Sequence, residues 1–294
     1  MTEKIKCYYH KSDMDGISSA AVVFNYYIGE NDIDIEFVGC DYGEQIHVSD
    51  LKNDTVIVVD FSFHKDIMEL LNTNSKKFIW IDHHKTAKDE MPDLWNKEGK
   101  CSLEKAACVL TWETLFPTVP VPQVIDYLGD YDLWKFEFGN KTRQLQEIIW
   151  LWILTDEYKN SPYANPLWKE LLAKNLSQPL LDQGQILLDA KHKRCEKTFD
   201  DGFDGTLFSH KTRFMNSNND ISDAGAYAVS QGYDIGCIYS IKKDLVIFSL
   251  RSKEVDVSIV AKSFGGGGHK LAAGFSFKKS FKGHEVLKWL SKSK

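Results

Sequence analysis

Three short apolar runs in the first third of the chain each end at a side chain able to hold a cation or move a proton. That recurrence constrains the fold more than any bulk property. His10 follows residues 5–9, Asp60 lies near the end of 55–61, and Asp82 follows 78–81. These runs, together with 33–40, read as strands, three of the four being rich in Val, Ile or aromatic residues. Between them, residues 17–28 and 65–71 carry apolar side chains at helical spacing. Strand–helix–strand repetition predicts a mostly parallel sheet covered by helices, in which ligands gather at the carboxyl ends of the strands. Polar residues at those ends are therefore site candidates.

Further along, Pro117, Pro120 and Pro122 make a stiff connection before a helix predicted over 123–128. Residues 141 to about 195 read as largely helical, broken by a polar turn around 160–166. From about residue 198 the pattern changes to strands at 205–209, 235–240, 245–250 and 273–277, with helices at 224–231 and 257–264 and a closing helix. The expected class is α/β. A parallel-sheet domain with helices on both faces occupies 1–184, a helical linker 185–198, and a smaller α/β domain 199–294.

The composition, 43% hydrophobic and 27% charged over 294 residues, is that of a globular chain. A formal net charge of -6 argues against coating long duplex nucleic acid, which needs many Lys/Arg contacts to phosphate. The six cysteines are scattered without a CxxC, so free thiols in a reducing compartment are expected. The N-terminus MTEKIKCYYH has no apolar core of a signal peptide. The longest apolar run, 148–154, falls far short of the ~20 residues needed to span a bilayer. A cytoplasmic protein with no membrane partner is expected.

Four segments carry the candidate chemistry. In His10-Lys-Ser-Asp13-Met-Asp15-Gly16, residues two apart in an extended loop face the same way, so Asp13 and Asp15 can share a cavity; taken alone, Asp13 reads better as the cap of the helix beginning near Gly16. Asp60 at the end of an apolar strand is costly to leave unpaired. Asp82-His83-His84 again follows a strand. Gly129-Asp130-Tyr131-Asp132 offers two more acids. Carboxylate oxygen and imidazole nitrogen together suit Mn2+, Mg2+ or a related divalent ion.

This ordered set resembles the DHH phosphoesterase family, named for the tripeptide seen here at 82–84. The resemblance implies two divalent metal ions, Mn2+ first, with Mg2+ and Co2+ as alternatives. It implies one metal held by His10, Asp13 and Asp60, the other by Asp15, Asp60, His83 and Asp130, with Asp60 bridging and Asp132 in reserve. A water bridging the two metals would be activated as hydroxide. His84 would contact the scissile phosphate and Asp82 would orient a histidine. One departure is that His10 stands three residues before Asp13, where many members have four.

A second signal is Phe264-Gly265-Gly266-Gly267-Gly268-His269-Lys270 followed by Ala272-Ala273-Gly274-Phe275. Four consecutive glycines imply a loop whose backbone approaches something closely, and its N–H groups could cradle an anion. With Ser249-Leu250-Arg251-Ser252 upstream, the stretch resembles the DHH-associated substrate domain, DHHA1. That likeness implies substrate binding by Arg251, Gly267, Gly268 and His269, across a cleft from the metals. The form Asp-His-His-Lys-Thr-Ala at 82–87 is most similar to nanoRNase-like members, oligoribonucleases or cyclic-nucleotide phosphodiesterases. The expected substrate is therefore a short RNA or a linear dinucleotide (pNpN), cut to mononucleotides; a homodimer is compatible with this reading. Phe63 and Trp134 are candidates to stack a base. The alternatives are a pyrophosphatase or exopolyphosphatase of the same superfamily and a catalytically silent nucleotide sensor.

Overall fold

In the first layer, odd and even strand residues point to opposite sides of the sheet, and both sides are apolar. The computed structural model describes residues 2–42, 44, 55–95, 97, 99–242 and 245–278; the closing helix expected beyond 278 lies outside them. The chain divides into two compact units, Met1–Leu187 and Leu188–Lys294. The first begins with β1 (Glu3–His10), α1 (Met14–Tyr27), β2 (Ile33–Cys40), β3 (Thr55–Val59), α2 (Lys65–Asn74), β4 (Lys77–Ile81), α3 (Lys85–Glu90) and α4 (Pro92–Trp95). It continues with α5 (Ala107–Leu115), α6 (Gln123–Asp132), α7 (Asn140–Ile153), a 3-10 turn (Pro162–Ala164) and α8 (Leu167–Ala173). The long α9 (Gln178–Asp200) contains the division.

The sheet is parallel throughout, in the order β2-β1-β3-β4. Ile5, Cys7, Tyr9, Ile57, Val59, Ile79 and Ile81 pack with α1, α5, α6 and α7 on one face. Tyr8, Val56, Val58, Phe78 and Trp80 pack with Met68, Leu71, Ala87, Leu94 and Trp95 on the other. A strand buried on both faces reads as a continuous apolar run, which is what made these runs visible in the sequence. The chain leaves β1 for β2 on one side and returns to β3 on the other. The switch point thus lies between β1 and β3, where parallel sheets open a crevice at their carboxyl ends.

The second unit carries β5 (Phe203–Leu207), β6 (His210–Asn216), α10 (Ile221–Ser230), β7 (Ile235–Ile241), β8 (Leu245–Ser252), α11 (Val257–Ser263), β9 (Gly267–Gly268) and β10 (Ala272–Lys278). Its sheet runs β5-β6-β7-β8-β10-β9, and among the described strands only β6 and β7 pair in parallel, joined through α10. One face packs Phe214, Phe248, Leu250 and Phe275 with Val257, Val260 and Ala261 of α11; the other packs Met215 and Ile238 with Ala224 and Ala228 of α10. All six cysteines are free thiols, as expected. No described helix is long and apolar enough to cross a membrane.

Candidate metal centre

Each of the four parallel strands ends on, or is followed at once by, a side chain that could bind metal: His10 ends β1, Asp41 follows β2, Asp60 follows β3 and Asp82 follows β4. The crevice at the switch point therefore collects acids and imidazoles from neighbouring strands.

Asp60 sits at its centre. It is 1% exposed, and its backbone is left-handed with φ 52°, a conformation uncommon for a residue carrying a Cβ. Its amide still donates to Ile81 O (2.9 Å), so the turn leaving β3 is tied to β4. Among the described residues, neither carboxylate oxygen has a hydrogen-bond partner. Oδ2 lies 3.6 Å from His10 Nδ1, and Oδ1 lies 3.3 Å from His83 Nε2. The two oxygens thus address two different imidazoles.

On one side, His10 Nδ1 is 2.6 Å from Asp13 Oδ2, without hydrogen-bond alignment, and its Nε2 is 3.5 Å from Asp41 Oδ1. Asp13 also caps α1, its Oδ1 accepting from the Gly16 amide (2.9 Å), so the capping and site roles fall to different oxygens of one residue. Gly16 is required less for turning than for contact: a Cβ there would lie 2.0 Å from the His10 carbonyl oxygen. On the other side, His83 Nε2 is 3.4 Å from both Asp15 Oδ2 and Asp132 Oδ2. Asp15 is buried against the start of α5, accepting from Ala107 N (2.8 Å) and Cys108 N (2.7 Å), which satisfies two amides of that helix end. Asp82 Oδ1 accepts from the His83 and His84 amides (2.7 and 3.1 Å) and lies 2.7 Å from His84 Nδ1.

The choice between the two acids at the end of α6 is corrected. Asp130 is turned away from the cluster: its carboxylate accepts from the Glu137 amide (2.9 Å), the Phe138 amide (3.4 Å) and the Thr142 hydroxyl. Asp132 is the one facing His83. The helix predicted to end at residue 128 continues to Asp132, four residues after buried Leu128 and so on the same stripe. Asp41, which lies beside His10, was not singled out in the sequence; its only signal is its place after the β2 strand.

The electrostatics are those of a site with excess negative charge. Burial and the charges of Asp15 and Asp13 drive the Asp60 carboxyl well above the usual range. Burial and Asp15 push Asp132 up to about 7. Burial opposes a charge on His10, but Asp13 and Asp60 outweigh it and raise the imidazole to about 10. Likewise Asp15 and Asp132 raise His83, and Asp82 raises His84, against burial in each case. His10, Asp13 and Asp60 form one set whose ligand atoms lie within 4.8 Å of one another; Asp15, His83 and Asp132 form a second, and Asp60, His83 and His84 a third. Orphaned buried oxygens on Asp60 and Asp132, in a donor set of hard oxygens and imidazole nitrogens, fit divalent cations.

In the second unit, Arg251 lies on β8 with its stem against Gly225, where a Cβ would meet its Cγ at 2.6 Å. Its guanidinium donates to Leu250 O and Ser222 Oγ (2.9 Å each), two of the five donors it carries. The glycine run is not one open loop. The Gly265 and Gly266 amides donate to Lys262 O (3.0 Å) and Ala261 O (2.9 Å), closing the C-terminus of α11 with Gly265 left-handed (φ 78°). A Cβ at Gly266 would lie 2.1 Å from Gly274 O. Gly267 and Gly268 form β9, paired with Gly274 and Ala273, and His269 N donates to Ala272 O (2.8 Å) in the turn that follows. An anion cradle built on all four amides is thus excluded for the first two.

Residues 4–124 match the DHH family, N-terminal domain, and residues 214–292 the DHHA1 domain. An uncharacterized protein of Acanthamoeba polyphaga mimivirus is 29% identical, the match covering 92% of this chain and 66% of that protein. The chain thus spans about two thirds of that relative's length. The bifunctional oligoribonuclease and PAP phosphatase NrnA of Mycoplasma genitalium is 24% identical over 84% of this chain and 76% of its own. Exonuclease RecJ bound to manganese has a similar fold, with a TM-score of 0.52 at 14% identity, covering 99% of this chain and 89% of that one. With both domains matched, and three of the four acid-and-histidine segments following strands of the parallel sheet while the fourth closes α6, the chain belongs to the DHH/DHHA1 phosphoesterase family.

Proposed function

We propose that this protein is a divalent-metal-dependent phosphodiesterase that hydrolyses short oligoribonucleotides or linear dinucleotides to mononucleotides. The observation that carries the reading is Asp60, buried and unsatisfied, with one oxygen toward His10 and the other toward His83. His10, Asp13 and Asp60 would hold one cation; Asp15, Asp60, His83 and Asp132 would hold the other. Bound there, two such ions would neutralise phosphoryl oxygens and make water a competent nucleophile near neutral pH. Mn2+ is the preferred ion, supported by the manganese in the related RecJ fold, with Mg2+ and Co2+ also suited to these donors.

The chain's own residues do the remaining work. Asp82 Oδ1 engages His84 Nδ1 and the amides on either side of His83, fixing the tripeptide and leaving His84 Nε2 as the ring nitrogen able to protonate the leaving oxygen. Arg251, with donors to spare, would take a substrate phosphate, and Gly267, whose Cα faces open space, would let it approach beside Gly268 and His269. The oligoribonuclease activity named for the Mycoplasma genitalium relative supports the substrate class. The six free thiols support a cytoplasmic setting.

Purified full-length protein assayed with Mn2+ against pNpN, short RNA and pyrophosphate tests this. Turnover of the two nucleotide substrates and not of pyrophosphate is expected. Turnover of pyrophosphate alone would refute the reading in favour of a pyrophosphatase, and tight nucleotide binding without turnover would refute it in favour of a sensor.

A further inference from the structure

Just beyond Asp132 the chain holds two bulky aromatic residues in a backbone conformation that such residues rarely adopt. Trp134 has φ 55° and Phe136 φ 56°, inside the left-handed region that a Cβ disfavours. The turn persists because it is over-determined. Trp134 N donates to Tyr131 O (3.0 Å), Lys135 N to Asp130 O (3.1 Å) and Gly139 N to Phe136 O (3.0 Å). The Asp130 carboxylate takes the Glu137 and Phe138 amides from inside the same turn. Strain braced in this way marks a position whose geometry matters.

The turn displays a cluster of rings. Trp134 meets Tyr131 edge-on at 5.3 Å and Phe136 at 4.8 Å between centroids. The Arg143 guanidinium, from α7, lies 3.8 Å from the Phe136 centroid and 5.6 Å from that of Trp134. Despite these neighbours Trp134 stays 39% exposed, while most tryptophans of this chain are buried or half-buried. Trp134 is two residues from Asp132, and two residues of chain span at most ~7 Å. The braced turn that carries this partly exposed indole therefore stands beside Asp132 of the candidate cluster, with the Arg143 cation against its rings. Phe63 offers nothing comparable: it is 8% exposed and packed edge-on against Tyr8 and Phe61.

We propose that Trp134, backed by Phe136 and Arg143, is the platform on which a nucleobase of the substrate stacks, and that it selects nucleotides over bare phosphoesters. The proposal rests on the phosphodiesterase reading above and adds to it the part of the substrate that is recognised away from the phosphate. Stacking accepts any base because every base has a π-face. The platform thus gives affinity for nucleotides in general rather than a preference among bases.

The test compares wild type, Trp134→Asn and Trp134→Tyr with Mn2+, measuring KM and kcat for a linear 5′-phosphorylated diadenylate and for its abasic analogue. Asparagine tolerates the left-handed backbone and so removes the ring without unfolding the turn; tyrosine keeps a stacking face. Trp134→Asn is expected to raise KM for the diadenylate by roughly 5- to 150-fold, the range that base–aromatic stacking gives. Its kcat, its metal content and its KM for the abasic analogue should stay as in wild type, and Trp134→Tyr should recover most of the loss. An unchanged diadenylate KM in Trp134→Asn, or an equal rise for both substrates, overturns the platform. Should wild type turn over neither ester, the phosphodiesterase reading fails by itself. The platform is then decided by the equilibrium Kd for diadenylate, which Trp134→Asn must still weaken.

Discussion

At Asp60 a left-handed backbone and two oxygens without a hydrogen-bond donor coincide in a residue that is 1% exposed. Folding around such a group is unfavourable until a cation arrives, so its removal should separate stability from activity. Asp60→Asn is expected to lower kcat by roughly a thousandfold or more, because the metals supply several kcal/mol of charge stabilisation. The same variant should raise the melting temperature of the metal-free protein in thermal scans; a fall instead would mean that the carboxylate is satisfied in a way the structure does not show. Asp130 and Asp132 make a second contrast. Asp132→Ala should reduce bound metal measured by elemental analysis. Asp130→Ala should leave metal content alone and cost ~1–3 kcal/mol in chemical denaturation, since its loss leaves the buried Thr142 hydroxyl and the Glu137 and Phe138 amides without their acceptor. The sequence could not decide between these two acids: on a helix they point about 200° apart, so only one can face a given cavity. Choosing required knowing that α6 runs on past Leu128.

At the scale of elements, most of the first sheet was legible because its strands are buried on both faces and so appear as unbroken apolar runs flanked by helical spacing. Helix α5 and strand β6 were among the elements that were not. Helix α5 opens directly after Ala106 with no side-chain cap of its own, because the cap is Asp15, 92 residues earlier in the chain. Strand β6, His210–Asn216, carries Lys211 and Arg213 among its apolar residues and lacks a clean alternation. The glycine run misled for a related reason: two of its amides complete α11 and two residues pair as β9, and neither partner is near in pattern. Packing between β1 and α1 yields its own expectation. Gly16→Ala places a methyl group 2.0 Å from the His10 carbonyl. It should therefore cost at least ~2 kcal/mol and displace His10, lowering metal affinity together with stability in a titration followed by thermal shift.

For the whole molecule, the crowded carboxylates make stability depend on pH and metal together. Burial and the Asp15 charge raise the Asp132 carboxyl to about 7 against 3.8 for a free group, so the folded state binds more protons between those values and stability falls as pH rises. His10 is raised from 6.5 to about 10. The stability it gives is full below 6.5 and is lost as pH climbs toward 10, in the same direction. The metal-free protein is therefore expected to melt at progressively lower temperature from about pH 5 to pH 9. Saturating Mn2+ should raise the melting temperature most at the alkaline end, where fewer protons compete for the site, and chelation should reverse it. A pH-independent melting point in EDTA would contradict this account.

The carboxylate of Asp15, held by two amides at the head of α5, has a consequence for how such a chain could drift. That aspartate belongs to the scaffold as much as to the chemistry, so replacing it should loosen a helix whether or not any reaction takes place. Asp60 has no comparable second employment. A descendant released from hydrolysis, kept only to bind nucleotides, would be free to lose Asp60 early and would even gain stability by doing so, while Asp15 would linger. The surviving acid in such a lineage would then record how the protein folds and no longer what it once catalysed.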